Sequence, residues 1–455
     1  NKGENMTFDY AVFGGGVIGA AIFNKFIRKG KSCVLLEREP DLATGATKAN
    51  SGLIHAGFDA ETGTLKARFN VRGNELTEEL AKNLKVPFKR TGALVVGNDL
   101  EKLNALKARG IANGVKELEI VEGEALRKLA PNLKEDIKYA LHAKSAGLIS
   151  PYMLAIALAE EGVINGGTCK LNFETVSVQE KNGYFEISSP SETIKAKRVI
   201  NAAGAGFNQI SKLLKVEEKP LKFRRGEYII LDKTDFVKLS IFPLPTALGK
   251  GILATPTVDG NVLLGPTAED IESYNTETTT EGIDKILAYI KSTFNNVPLN
   301  KNIRQFSGIR VSCGEDFIVE KSKVNNSVVL IAGINSPGLS SAPAIAEYVV
   351  EELFGEKNKD KTMIAREGYF AEPAGRIVCR CEKIGENEIV RAINAPIQAC
   401  TVDAVKRRVR AGMGRCQGGQ CMLEVCKLLA KNAGLNLEDV KKESANSFIM
   451  QKGEL

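Results

Sequence analysis

The chain has 455 residues, which is too long for one ordinary domain and predicts two or three. Hydrophobic residues (43%) and charged residues (26%) are typical of a soluble globular protein, and the net charge of +7 is mild, so we expect no nucleic-acid partner. No apolar run approaches the roughly 18–20 residues that span a bilayer, which excludes direct membrane insertion, and the first residues lack the basic-then-apolar pattern of an export signal. We therefore expect a cytoplasmic protein, with any membrane association made through a partner.

The chain opens with a predicted β-α-β unit. Residues 8–13 read as a strand, Gly14-x-Gly16-x-x-Gly19 forms a turn, and residues 20–29 have helical patterning. The next strand, residues 33–36, ends at Glu37. Such glycines let the backbone approach a pyrophosphate at the helix N-terminus, and the acid can accept hydrogen bonds from ribose. The pattern predicts a dinucleotide site and leaves FAD and NAD both open.

Later elements extend this sheet and add a second one. Strands at 198–204 and 328–333 each end in glycine, and the second is followed by a helix from about 342 to 353. They predict one parallel sheet interrupted by insertions. The insertions contain predicted helices at 65–83 and 100–113 and strands at 228–231, 252–254 and 262–264. We expect these to build a domain that covers a substrate.

The C-terminal part is rich in cysteine. Of nine cysteines, six lie close together: Cys379, Cys381, Cys400, Cys416, Cys421 and Cys426. Without an export signal, a metal or cluster site is favoured over disulfides. Four thiolates in the pattern Cys379-x-Cys381 and Cys416-x-x-x-x-Cys421 can hold a [2Fe–2S] cluster or a zinc ion. Cys400 and Cys426 are expected on helical stretches and not as ligands. The basic run at 406–410 is interpreted as a solvated helix face or a docking surface for an acidic partner.

Three blocks resemble the flavoproteins of the D-amino-acid-oxidase superfamily. They are Thr47-Lys-Ala-Asn-Ser51-Gly-Leu-Ile-His55-Ala-Gly57, Asn201-Ala-Ala-Gly204 and Gly333-Ile-Asn-Ser336-Pro-Gly338-Leu339. Within this superfamily the chain most resembles the glycerol-3-phosphate oxidases and dehydrogenases, with further matches at Arg225-Gly-Glu-Tyr228, from Gly249-Lys-Gly251 to Gly265-Pro-Thr267, and at Gly308-Ile-Arg310. The sequence Gly412-Met-Gly-Arg-Cys-Gln-Gly-Gly-Gln-Cys421 resembles a ligand loop of bacterioferritin-associated-ferredoxin-like [2Fe–2S] domains.

The resemblance implies an α/β fold: a Rossmann-like FAD-binding domain with an inserted substrate-binding β-sheet domain, followed by a small helical [2Fe–2S] domain. The implied boundaries are 6–358 for the flavoprotein part (insertions at about 84–145 and 222–315), 359–376 for a linker, 377–431 for the cluster domain and 432–455 for a tail.

The resemblance also implies residue roles. His55 is the expected base that removes the hydroxyl proton, and Arg310 and Lys250 are expected to hold the anionic group, since a planar guanidinium suits carboxylate or phosphate. Arg304 is the nearest competitor of Arg310, and the only other histidine, His142, is expected to be structural. Ser51 and Ser336 are expected to line the substrate site. The expected FAD contacts are Gly14, Gly16, Gly19, Glu37, Thr47, Ser51, Val176, Ala203, Gly204, Gly333, Pro337, Gly338 and Leu339. The expected cluster ligands are Cys379, Cys381, Cys416 and Cys421.

The function implied is FAD-dependent oxidation of sn-glycerol 3-phosphate to dihydroxyacetone phosphate. Electrons would leave the flavin through the [2Fe–2S] cluster to a redox partner subunit or a quinone-linked acceptor. Two alternatives stay open: a dehydrogenase of a 2-hydroxy acid such as 2-hydroxyglutarate or of an amino or imino acid such as an opine or proline, and a non-catalytic electron-transfer subunit.

Overall fold

The structure is a computed structural model that describes residues 7–245, 251–370 and 372–450. Lys250, a predicted substrate ligand, lies outside the described residues. Within them, no helix combines the length and apolar character needed to cross a membrane.

An eight-stranded sheet, called the first sheet below, is built around strand Thr7–Phe13. This strand pairs in parallel with Cys33–Leu36 on one side and Thr193–Asn201 on the other. Alternate residues of Thr7–Phe13 pack into two different hydrophobic clusters, because successive strand residues face opposite sides of a sheet. Both faces of the first sheet are therefore buried. In spatial order its strands are Ser177–Lys181, Tyr184–Ser188, Thr193–Asn201, Thr7–Phe13, Cys33–Leu36 and Thr168–Lys170, with Val328–Ala332 paired to Thr193–Asn201 and Ile318–Lys321 paired to Val328–Ala332.

Helices cover both faces of the first sheet. A larger group of helices covers one face: Val17–Arg28, Leu65–Asn83, Pro151–Ile164 and Gly338–Glu347, the last of which continues as a π-helix over Tyr348–Leu353. Helix Phe207–Leu214 covers the opposite face.

The helix predicted from about residue 342 begins earlier, at Gly338. Pro337 precedes its first residue, and the backbone N–H of Ser341 donates to Pro337 O at 3.1 Å, which closes the first helical turn. The helix packs closely on Leu65–Asn83: a Cβ atom on Gly73 would lie 1.9 Å from the carbonyl oxygen of Ser340, an approach that only glycine permits.

A nine-stranded second sheet takes its strands from two separate parts of the chain. Its longest pair is Lys222–Leu231 with Asn302–Ser312, which run antiparallel with Gly226 opposite Gly308. In order it contains Glu269–Ile271, Lys222–Leu231, Val262–Gly265, Leu253–Pro256, Ser240–Pro243, Ala93–Gly97, Tyr139–Ala143 and Leu118–Glu122, with Asn302–Ser312 beside Lys222–Leu231. Helices Leu100–Ala112, Gly123–Leu129 and Thr280–Thr293 accompany it, and a small sheet of Leu53–Ile54, Gly147–Ile149 and Phe88–Arg90 completes the β-structure of this part.

The C-terminal module, defined here as residues 377–450, is helical. Its elements are strands Ile377–Cys379 and Ile384–Gly385, helices Glu386–Ile393, Val402–Val409 and Met422–Ala433, and the 3₁₀ turn Leu437–Asp439. Its apolar residues belong to the same hydrophobic cluster as the helices on the larger-group face of the first sheet. The module is therefore packed against the flavoprotein part, and the α/β fold with an inserted sheet and a helical C-terminal part is confirmed. The domain boundaries stay a prediction.

Two expectations for the module are wrong. The basic run at 406–410 is no solvated face or docking surface, because Arg407 and Arg408 are only 3% and 0% exposed and pair with Asp41 of the flavoprotein part. Cys426 lies on a helix as expected, whereas Cys400 lies just before helix Val402–Val409.

Candidate functional site

The glycine-rich turn joins strand Thr7–Phe13 to helix Val17–Arg28. Gly14 has a φ of 101°, and a Cβ atom on Gly19 would lie 1.9 Å from the carbonyl oxygen of Gly14. The turn therefore needs glycine at both positions. The first turn of the helix contains no acidic residue, so the positive end of its dipole is open to an anion. These features fit a pyrophosphate.

Glu37 lies at the end of the neighbouring strand. Its carboxylate accepts hydrogen bonds from the backbone N–H groups of Gly15 at 2.6 Å and Glu39 at 2.9 Å. Burial raises the pKa of Glu37. The visible role of Glu37 is to hold the glycine turn, and its contact with ribose stays a prediction.

Most of the other expected FAD residues gather at the carboxyl ends of the first sheet's strands. Thr47 Oγ1 accepts a hydrogen bond from Val17 N at 3.0 Å, so Thr47 lies at the N-terminus of the first helix. Ala203 and Gly204 directly follow strand Thr193–Asn201, and Gly333 directly follows Val328–Ala332. Gly338 and Leu339 begin the helix after Pro337. Carboxyl ends of parallel strands are where such sheets bind ligands.

Val176 is placed differently. Its side chain is 51% exposed, and its backbone N–H donates to Ser188 O at 2.9 Å. Its predicted FAD contact is therefore carried by the resemblance alone.

His55 is held by its backbone. Its N–H donates to Ser340 Oγ at 2.8 Å, and its carbonyl oxygen accepts from Asn74 Nδ2 at 3.0 Å. The imidazole lies with Nε2 at 3.4 Å from Ser336 Oγ, and its ring is parallel to that of Phe242 at a centroid distance of 6.3 Å. His55, Ser336 and Pro337 line a cleft of about 200 Å³ that opens to solvent. The ring of His55 is thus positioned at a cavity by contacts from separate elements.

Arg310 faces the same segment from the second sheet. A Cβ atom on Gly308 would lie 1.9 Å from the carbonyl oxygen of Ala49, so this strand packs directly on the segment that carries Ser51 and His55. Residues two apart in a strand share a face, which places Arg310 on the face of Gly308. The half-buried Arg310 donates to the carbonyl oxygen of Thr267 and makes no ion pair within the described residues. Burial lowers the pKa of Arg310. This guanidinium has the charge and geometry to bind an anion.

The competing residues are engaged elsewhere. Arg304 is exposed and donates to Gln417 of the C-terminal module at 3.2 Å. His142 lies on strand Tyr139–Ala143 with Nδ1 at 3.2 Å from Glu119 Oε1 on the neighbouring strand. The lining of the cleft beside His55 includes Ser336 but not Arg310 or Ser51, so the cleft does not itself separate Arg310 from these competitors.

The four predicted ligand cysteines form two close pairs. Cys381 Sγ lies 3.6 Å from Cys416 Sγ. The hydrogen bond from Cys421, assisted by backbone N–H groups, lowers the pKa of Cys379 to about 6, and the same bond raises the pKa of Cys421. Among the described residues, no three histidine, cysteine, aspartate or glutamate side chains are grouped to hold one metal ion. Two thiol pairs together supply four thiolates, which is the ligand set of a [2Fe–2S] cluster and also of a tetrahedral zinc ion.

Sequence reasoning missed one group of residues. Asp41, Glu160, Arg366 and Arg408 form a buried ionic network that joins the flavoprotein part to the C-terminal module. Each residue lies in a different segment, so no spacing in the sequence reveals it.

Comparisons with known proteins agree with this arrangement. The family model "FAD dependent oxidoreductase" matches residues 9–352, and the model "BFD-like [2Fe-2S] binding domain" matches residues 377–431. A glycerol 3-phosphate dehydrogenase of Caloramator mitchellensis is 41% identical, covering 97% of this chain and 98% of its own. A glycerol 3-phosphate oxidase of Mycoplasma genitalium is 31% identical over 76% of this chain and 95% of its own.

Among solved structures, the FAD-bound L-α-glycerophosphate oxidase of Mycoplasma pneumoniae superposes with a TM-score of 0.73 at 28% identity, covering 80% of this chain and 97% of that one. The first family model covers strands of both sheets, and the second covers all four paired cysteines. The chain therefore belongs to the FAD-dependent oxidoreductase family and carries a BFD-like [2Fe–2S] binding domain.

Proposed function

We propose that the chain oxidises sn-glycerol 3-phosphate at C2 to dihydroxyacetone phosphate. The relatives named for glycerol 3-phosphate support this substrate. The observation that carries the proposal is Arg310, a half-buried guanidinium without an ion-pair partner among the described residues, on the sheet face that packs against the segment of His55. An anion-binding group and a base thus lie on opposing elements.

His55 serves as the base. A neutral imidazole can accept the proton of the C2 hydroxyl, and the fixed backbone of His55 limits the movement of the ring. Ser336 Oγ, 3.4 Å from Nε2, is placed to orient the imidazole or the substrate hydroxyl. Ser51, on the same segment, lines the substrate site in this proposal.

Arg310 holds the phosphate, and Lys250 supplies a second positive charge. A phosphate dianion gains more from two cations than a single carboxylate does. When bound, FAD would supply a hydride acceptor for C2 and a [2Fe–2S] cluster would supply one-electron transfer. The FAD-binding residues named above and the four paired cysteines, Cys379, Cys381, Cys416 and Cys421, are the groups that we propose hold these cofactors.

Electrons leave from the C-terminal module to a redox partner subunit or a quinone-linked acceptor, and any membrane association is made through that partner. Arg380 lies between two ligand cysteines and is exposed, as is Lys383, and neither makes an ion pair within the part of the chain that the structure describes. Ile377 and Leu423, each two residues from a ligand cysteine, are 47% and 51% exposed. Exposed apolar and positively charged side chains close in sequence to the ligand cysteines support an acidic protein as the acceptor.

A carboxylate substrate is the second candidate. The L-2-hydroxyglutarate dehydrogenase of Bos taurus is 29% identical over 59% of this chain and 62% of its own, and Arg310 alone would suit a carboxylate. The two candidate substrates differ in their need for Lys250, because a phosphate gains more from its positive charge than a carboxylate does. A non-catalytic electron carrier is disfavoured by the placement of His55 at an open cleft.

The test is an anaerobic visible-absorption titration of the purified protein with sn-glycerol 3-phosphate, with iron and zinc measured on the same sample. We expect bleaching of the flavin band, partial loss of the broad iron–sulfur absorbance, and iron without stoichiometric zinc. If both chromophores are present and glycerol 3-phosphate bleaches neither, the substrate is wrong, and 2-hydroxyglutarate, proline and opines are titrated next. Zinc in place of iron would overturn the cluster.

A further inference from the structure

One loop of the flavoprotein part, residues 41–50, wraps around the glycine-rich turn. The backbone N–H of Ala43 donates to Gly15 O at 3.0 Å, and Thr47 Oγ1 accepts from Val17 N at 3.0 Å. A side chain on Gly15 would collide with Leu42, since a Cβ atom there would lie 2.4 Å from Leu42 Cδ2. The loop is thus packed directly on the glycine-rich turn that forms part of the proposed FAD site.

The C-terminal module holds the start of this loop. Asp41 is fully buried, and its carboxylate accepts from Arg407 Nη2 at 2.8 Å and from Arg408 Nη2 at 2.9 Å. Burial alone would raise the pKa of Asp41, but the two guanidinium groups hold it below its usual value. Asp41 therefore remains ionised, and both of its strong partners come from one helix of the module.

The module also holds the far end of the loop. Lys48 Nζ lies 2.5 Å from Glu443 Oε1, and the same carboxylate oxygen accepts from Arg407 Nη1 at 2.7 Å. Arg407 thus contacts both Asp41 and Glu443. The two ends of the loop are connected through one arginine of the module.

Glu443 is itself fixed on the module. The backbone N–H groups of Val402 and Asp403 donate to the carbonyl oxygens of Lys441 and Lys442 at 3.0 and 2.8 Å. Glu443 N donates to Ser447 Oγ at 2.8 Å. The segment after the last helix is thereby attached to the start of helix Val402–Val409, which carries Arg407 and Arg408.

We propose that the C-terminal module has a second role beside carrying the cluster: through Asp41 and Lys48 it holds the loop 41–50 closed on the FAD site, so that slow release of FAD requires the docked module. The proposal needs only the family's FAD site and holds for any substrate. The FAD-bound Mycoplasma pneumoniae oxidase superposes on 80% of this chain, so the module is expected to slow FAD release, not to create the site.

The experiment measures the rate of FAD release from the full-length holoprotein by the rise in flavin fluorescence after dilution. Lys48→Met and Glu443→Gln each remove one partner of a partly exposed ion pair, and we expect release about 3- to 5-fold faster. The double variant should release FAD no faster than Glu443→Gln alone, because that single change already breaks the Lys48 pair as well as the contact with Arg407. Arg407→Met, which loses Asp41 and Glu443 together, should accelerate release by more than about tenfold.

Asp259→Asn is the matched control. It breaks another ion pair between the module and the rest of the chain, Arg410–Asp259 at 2.7 Å, without touching the loop 41–50. FAD release from this variant should equal that of the parent protein. Unchanged release in Lys48→Met and Glu443→Gln, or equal acceleration in Asp259→Asn, would overturn the proposal. If Arg407→Met does not fold, the variants of the Lys48–Glu443 ion pair still test the proposal. The rate of FAD release is measured without substrate, so the result does not depend on whether glycerol 3-phosphate is the correct substrate.

Discussion

The proposed FAD-binding residues extend from Gly14 to Leu339, whereas the four proposed cluster ligands lie between Cys379 and Cys421. The proposed cluster site is formed within one small module: two short cysteine motifs, with Cys381 and Cys416 35 positions apart, come together there. The proposed FAD and substrate site takes its residues from strand ends and loops that are brought together only when the sheets fold. The comparison teaches that spacing in the sequence can identify a local metal site, while a site shared between two sheets requires the resemblance or the structure.

The two regions are nevertheless one packed body. The hydrophobic cluster of the C-terminal module is continuous with that of the first sheet, and the buried arginines of the module pair with Asp41. The cluster domain is therefore local in its chemistry and non-local in its packing. The following changes test how far the two sites are separable.

The largest expected effect is at the cluster. Cys416→Ser should remove nearly all bound iron and the broad iron–sulfur absorbance, because serine does not replace a thiolate in this setting. Flavin that remains bound should still be reduced by substrate, as measured by anaerobic absorption. Cys426→Ser, a fully buried change in helix Met422–Ala433, is the control and should keep the cluster. Loss of flavin reduction in Cys416→Ser would show that the sites are not separable.

His55→Asn should slow substrate-dependent flavin reduction by about 10²- to 10⁴-fold, the range that a positioned general base contributes. Stopped-flow absorbance under anaerobic conditions measures the rate, and FAD content should equal that of the parent. His142→Asn, which changes the only other histidine, should stay within about twofold of the parent. A His55→Asn rate close to the parent's would remove the proposed base.

Arg310→Ala should lower kcat/KM for glycerol 3-phosphate by about 10- to 200-fold, mainly through KM, since charge-assisted hydrogen bonds contribute about 1.5–3 kcal/mol. FAD should stay bound. The exposed Arg304→Ala, six residues earlier on the same strand, is the control and should leave KM unchanged. A KM near the parent's in Arg310→Ala would place the anion site elsewhere.

The smallest expected effect belongs to Ser336→Ala. The 3.4 Å separation from His55 Nε2 is long for a hydrogen bond, so we expect flavin reduction to slow by about 2- to 10-fold. The same stopped-flow assay measures it, and Ser341→Ala, whose hydroxyl donates to Pro337 O at 3.1 Å, is the control. A loss as large as that in His55→Asn would assign Ser336 a direct part in the proton transfer.

The structural elements that depend on local geometry could be predicted from the amino-acid sequence. The glycine turn follows from the steric demands of a strand-to-helix crossing, helix Leu65–Asn83 from its periodicity, and the cysteine pairs from their spacing. The resemblance supplied His55 and Arg310 because those residues lie in recognisable blocks. Their common position between two sheets was an expectation that no spacing could establish.

The burial of charged side chains and the identity of their partners depend on the tertiary structure. Arg407 and Arg408 look like a solvated basic run in the sequence, and in the fold they are the partners of Asp41, more than 300 residues away. The close contact between Gly73 and Ser340 likewise joins two helices that are distant in the chain. The physical reason is the same in both cases. Burial and close packing arise between segments that are distant in the chain, and a local stretch of sequence does not reveal which distant segment will contact it.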